Sequence, residues 1–157
     1  MSIIDIILDL LFGKATTTPK EEQKEKRPYV NAMGIKVGEV QVINPRFYGV
    51  NGLEYSITNG VPNFVFDCHA VETGNVTFRL YVDGDINALN NPPLQTASFT
   101  LGNPDKELRF PVPKDYSHKV GKHTMYVDQI CLIGYREDGS RIYQTYSTYT
   151  FDFEVRE

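Results

Sequence analysis

The chain has 157 residues, 41% of them hydrophobic and 23% charged, with a formal net charge of -4 and a pI near 5.4. It is long enough to fold as one domain without metal or disulfide support, and too apolar to be disordered throughout. Its acidic balance argues against a broad phosphate-binding face, so no nucleic-acid partner is expected.

Residues 1–13 open the chain with Ser2 to Phe12, SIIDIILDLLF, apolar except at Ser2, Asp5 and Asp9. The two aspartates are four apart and share one helical face, so the pattern predicts a short amphipathic helix with a narrow wet stripe. Ile3, Ile4, Ile7, Leu8, Leu11 and Phe12 form the greasy side and are the candidate partner-binding residues. Ser2 suits an N-cap, and Gly13 followed by Lys14 suits a stop. A helix this short is marginal alone and must bury that face against something. The options are its own domain, a second copy, another protein's groove or a lipid interface. Interfacial membrane helices usually carry Lys and Arg where this one carries aspartate, so membrane contact is the weaker option. A short apolar helix on a tether also resembles the docking peptides that recruit cargo into protein shells.

No basic region precedes the apolar run and no small-residue cleavage pattern follows it, so it does not read as a secretory signal. No stretch reaches the roughly 20 apolar residues of a membrane span. The expected setting is therefore the cytoplasm or a larger assembled particle. Residues 14–35 read as a charged linker, of which Lys14 to Pro28, KATTTPKEEQKEKRP, holds no aliphatic residue larger than Ala and cannot build a core.

Residues 36–157 switch to period-two alternation broken by Gly, Asn, Asp and Pro, the pattern of half-buried strands joined by turns. Strands are expected near 37–43, 46–50, 53–58, 63–72, 76–82, 94–101, 106–112, 123–135 and 141–155. Asn51-Gly52 and Asp138-Gly139 each suggest a two-residue type I′ hairpin. Thr73-Gly74-Asn75 and Gly102-Asn103-Pro104 mark two further turns. The expected core holds Phe64, Phe66, Cys68 and Ala70, then Val76, Phe78, Leu80 and Val82, then Leu108, Phe110 and Val112. In the last strand Tyr143, Tyr149, Phe151, Phe153 and Val155 form the dry face. The strand at 123–135 has apolar residues of both parities, which predicts a bulge or burial on both sides.

The fold class expected is all-β, an antiparallel sandwich. The strand order, with the phrase Tyr116-Ser117-His118-Lys119-Val120-Gly121-Lys122-His123-Thr124-Met125-Tyr126-Val127, resembles the immunoglobulin-like superfold and its fibronectin-type relatives over roughly residues 36–157. There a turn glycine commonly precedes a long strand with a tyrosine near its start, which Gly121 and Tyr126 match loosely. The resemblance places Cys68 and Cys131, 63 positions apart, where the inter-sheet disulfide of antibody domains lies. Tryptophan is absent, a departure from true antibody domains. Such a likeness carries a fold and no definite function.

Chemistry is thin. The cysteines read as a cross-sheet disulfide in an oxidising compartment or as two buried thiols, and the lack of an export signal favours thiols. Asp83-Gly84-Asp85-Ile86-Asn87 has the opening spacing of a calcium loop, but Ala88 stands where the loop needs glycine and Leu94 where it needs glutamate. His69, His118 and His123 have no second ligand at metal-site spacing. No nucleophile elbow, phosphate loop or carboxylate pair is evident, so no enzyme and no cofactor is expected. Tyr48, Tyr55, Tyr116, Tyr135 and Tyr146 fall near strand ends or on the wet face, where tyrosine suits recognition as well as strand propensity. Two functions are compatible: an interaction or assembly module that docks through the N-terminal helix, or a carbohydrate- or ligand-binding module using the loops at 83–93 and 113–122.

Overall fold

The computed structural model describes residues 29–50, 52–60, 62–84, 92–112 and 119–157, and the predicted N-terminal helix lies outside them. The described chain is all-β. In order come β1 (Glu39–Phe47), β2 (Glu54–Ser56), a 3-10 turn at Ile57–Asn59, β3 (Asn63–Glu72), β4 (Gly74–Val82), β5 (Leu94–Phe99), β6 (Lys106–Pro111), β7 (Gly121–Tyr135) and β8 (Arg141–Arg156). They form two sheets, one of three strands ordered β1-β3-β6 and one of five ordered β2-β8-β7-β4-β5. Neighbouring strands are antiparallel except β2, which adds parallel to β8.

One buried cluster draws on both sheets. Phe47, Phe64, Phe66, Cys68 and Phe110 from the smaller sheet meet Phe78, Leu80, Met125, Val127 and Phe153 from the larger. Ring pairs cross between them: Phe66 lies 5.4 Å from Phe78, and Phe47 lies 5.3 Å from Phe153, both edge to face. Such pairs add about 0.5–1.5 kcal/mol each beyond their buried area. The expected core residues of β3 and β4 are all buried, as are Phe110 and Val112, while Leu108 is half-buried against the cluster.

Several local expectations need correction. The predicted strands at 37–43 and 46–50 are one strand, β1, with a register irregularity between Ile43 and Arg46. Asn44 there has φ 54, and Pro45 has no N–H to give a ladder, so the strand bends without ending. Asn51-Gly52 does not join a hairpin. Phe47 N donates to Gly52 O at 3.1 Å and the chain crosses to the other sheet. Asp138-Gly139 does join the hairpin of β7 and β8, by a different turn. Of that pair only Gly139 has positive φ, and its N–H donates to Arg136 O at 2.9 Å, the pattern of a type I turn closed by a left-handed glycine.

β7 is buried on both sides from Val127 to Leu132, as its mixed parity suggested. The ladder with β8 is irregular twice: Leu132 pairs with Tyr143 and Gly134 with Ile142, leaving Ile133 extra on β7, and Gln129 pairs with Ser147 and Ile130 with Thr145, leaving Tyr146 extra on β8. Tyr146 turns inward, fully buried, and its hydroxyl donates to Gly38 O at 2.8 Å. The odd-numbered dry face of β8 therefore stops at that point. Gln129, also fully buried, spans the core to β1, donating from Nε2 to Val40 O at 2.8 Å and accepting from Val40 N at 3.3 Å.

Residues 29–35, counted with the linker from sequence, form a strap on the β body. Val30 bridges Lys36, Ala32 N donates to Leu132 O at 3.1 Å, and Val37 N donates to Tyr29 O at 2.6 Å. Asn31 shapes the turn by accepting from Met33 N at 2.9 Å and Ile35 N at 3.0 Å.

Candidate functional site

At one end of the larger sheet, β2, β7, β8 and the turn after β4 line an open cavity of about 540 Å³. His123 stands in its wall, its side chain 8% exposed. The ring stacks on Phe153 at 5.3 Å, Nδ1 meets Asp83 Oδ2 at 2.8 Å, and Nε2 meets Lys119 O at 2.7 Å. The Lys119 carbonyl can only accept, so Nε2 carries a hydrogen. Asp83 itself sits at φ 58, a conformation aspartate tolerates better than most residues. Its other oxygen accepts from Thr124 N at 2.9 Å. Partial burial pushes the Asp83 carboxyl up, but the hydrogen bonds from His123 and Thr124 outweigh it and hold the group below the usual carboxylate range.

Among the described residues the pair is a histidine and a carboxylate without a nucleophile in line. The Thr124 hydroxyl donates to Asp152 at 3.0 Å, and no serine or cysteine is found among the described residues of the wall. The arrangement fastens the turn after β4 to the first residues of β7.

A second concavity of about 230 Å³ lies at the opposite side of the same sheet, between the strap and the edge strand β5. Ile130 and Leu132 form its floor, and Met33, Ile35 and Leu94 its rim, at 53%, 37% and 41% exposure. Arg141 is the single charged side chain among the described lining residues. This groove gives no sign of itself in the sequence, because its walls come from five separated segments, the strap, β4, β5, β7 and β8.

A buried ion pair on the outward face of the larger sheet was equally hidden. Asp128, 1% exposed, accepts from Arg79 Nη2 at 2.8 Å, Arg79 Nε at 3.2 Å and Thr148 at 2.9 Å. The Tyr81 hydroxyl also faces it at 3.4 Å, and burial followed by the Asp128 charge pushes that phenol up to about 12. With its oxygens engaged on all sides, Asp128 locks β4, β7 and β8 together.

The candidate docking residues Ile3, Ile4, Ile7, Leu8, Leu11 and Phe12 lie outside the described residues, as do His118, Asp85 and Asn87. Asp83 is engaged by His123 and Thr124, and no group of three metal-ligating side chains occurs among the described residues. His69 is exposed and pairs with Asp105 at 2.8 Å. Cys68 and Cys131 are both buried and unbridged, in different clusters, Cys68 within the main core and Cys131 beside Val37 and Tyr146. Burial, and then the nearby Asp67 charge, push the Cys68 thiol up to about 12, which disfavours the reactive thiolate.

Of the tyrosines considered for recognition, Tyr55 and Tyr146 are core residues; Tyr116 lies outside the described residues. Tyr48 and Tyr135 are exposed, and Tyr48 lies under the Arg109 guanidinium at 4.0 Å. No family model, curated protein or solved structure matches the chain.

Proposed function

We propose that the chain is a non-enzymatic protein-interaction or assembly module. Its body is an immunoglobulin-like β-sandwich, and its docking element is an N-terminal helix bearing Ile3, Ile4, Ile7, Leu8, Leu11 and Phe12. The observation that carries this reading is the composition of the main core: among the described residues its members run from Val40 to Val155, with both sheets contributing. The apolar face of the opening segment needs cover of its own, and a core that two sheets already fill supports a separate surface for it. Two sheets sharing one core support the sandwich, and the acidic stripe of Asp5 and Asp9 favours protein over lipid as the surface met. A subunit of a virion, filament or shell is a special case of the same physics.

Light scattering over a concentration series, on the full chain and on a chain starting at Arg27, tests it. The full chain should associate, with itself or with an added candidate partner, and the shortened one should remain a monomer. Equal masses and equal partner capture for both would overturn the reading.

A ligand-binding module is the second reading, favoured by the cavity beside His123, whose volume of about 540 Å³ lies within the range of small-molecule sites. A glycan array without signal would remove its carbohydrate form.

A further inference from the structure

We propose that the groove between the strap and β5 is the resting seat of this chain's own N-terminal segment, Ser2–Phe12. This rests on the reading of that segment as a docking element and adds the surface it occupies before a partner takes it.

Three observations select this occupant. The groove, at about 230 Å³, is smaller than the usual small-molecule site, yet its rim exposes Met33, Ile35 and Leu94. That combination fits a few aliphatic side chains reaching in from a peptide laid across the rim, the mode by which amphipathic segments dock. The charges agree: Arg141 is the single charged side chain among the described lining residues, and Asp5 and Asp9 are the charged side chains of the segment. The third observation is where the described chain begins. Tyr29 accepts a hydrogen bond from Val37, a lining residue, so the chain enters beside the groove.

Sixteen residues, Gly13 to Pro28, separate the segment from that point, and a chain of that length reaches up to roughly 50 Å. Tethers this short raise local concentration to roughly millimolar, so the chain's own segment outcompetes that of a second copy in dilute solution. A partner must then displace the segment from its seat.

Amide hydrogen exchange of the full chain, read on residues 3–12 in dilute solution, tests the seat. The amides should be protected in the native chain and should lose at least tenfold of that protection in Met33→Asp and in Leu94→Asp. Both changes fall on exposed positions that the core does not use. Unprotected amides in the native chain, or protection unaltered in both variants, would overturn the proposal. Protection that appears only as concentration rises would assign the groove to a second copy and overturn it equally.

Light scattering of the same proteins separates this failure from failure of the docking reading. Freeing the segment should raise the associated fraction of Met33→Asp above that of the native chain. If the native chain associates through residues 1–13 and Met33→Asp associates to the same degree, docking stands and the seat is wrong. If neither associates and neither captures a partner that the chain starting at Arg27 fails to capture, the docking reading itself is wrong.

Discussion

The side-chain amide of Gln129 does for Val40 what a neighbouring strand would do, offering one acceptor and one donor to the outer edge of β1. Replacing it with an apolar residue of similar size takes the Gln129 acceptor away from the Val40 N–H inside the core. Gln129→Met should therefore cost about 1–3 kcal/mol in urea unfolding, the range for stranding a buried polar group. A loss below about 0.5 kcal/mol would show that the clamp is dispensable. A second residue-scale prediction concerns acid. At Asp67 partial burial raises the carboxyl, but hydrogen bonds from Asn44 and Arg46 and the Arg46 charge prevail; Asp83 is held low in the same sense by His123 and Thr124. A carboxyl lowered by folding stabilises the native state above its unfolded value, near about 3.9, and that contribution disappears as pH falls through the folded value. The unfolding midpoint should fall between about pH 5 and about pH 2, and fall less steeply in the Asp67→Asn, Asp83→Asn double variant. Identical slopes would contradict the assignment. None of this was legible in the sequence, where Gln129 is a polar residue amid mixed apolar parity and Asp83 opens a calcium-like spacing that fails at Ala88 and Leu94. Which partner each meets depends on segments 40 to 90 positions away.

At the scale of elements, the passage from β3 to β4 depends on two glycines. A Cβ on Gly74 would lie 2.6 Å from Gly38 N, and its φ of 153 is one that side chains rarely adopt. The crowding atoms are backbone, which cannot swing away. Gly74→Ala should destabilise by about 2–4 kcal/mol, overpacking added to backbone strain. Gly134→Ala is the control: nothing lies within 4 Å of its Cβ position and its φ is not positive, so the change should stay within about 0.5 kcal/mol. Equal midpoints for the two variants in thermal unfolding would refute the close approach. The turn at Thr73-Gly74-Asn75 was readable from composition, but its closeness to Gly38 was not. Strand existence was well marked where alternation was clean, as in β3, β4 and β6. It was misjudged where a local signal competed with the long-range layout. Pro45 suggested a break that a bulge absorbs, and Asn51-Gly52 suggested a hairpin although its flanking strands belong to different sheets. The inward turn of Tyr146 follows from a bulge that alternation cannot reveal.

At the scale of the molecule, the alternation after residue 36 conveyed the class, because a two-residue period can bury one face only as a sheet. The pairing of sheets was not legible, since β2 joins β8 in parallel across about 100 residues and leaves no local mark. The docking proposal was half legible: the greasy run at the start announces a need for cover, while the groove proposed as its seat is assembled from the strap, β4, β5, β7 and β8. The strap also means that the body begins its folded path by Tyr29, with Val30 and Ala32 already bonded to it.

The central claim is that the β body is complete without the opening segment. Thermal unfolding followed by circular dichroism, for the full chain and for a chain starting at Arg27, tests it most directly. Both should unfold in a single cooperative transition, with midpoints within about 4 °C, the shift that about 1 kcal/mol produces in a domain of this size. A shortened chain that lacks a cooperative transition, or that melts far below the full one, would show that residues 1–26 belong to the core.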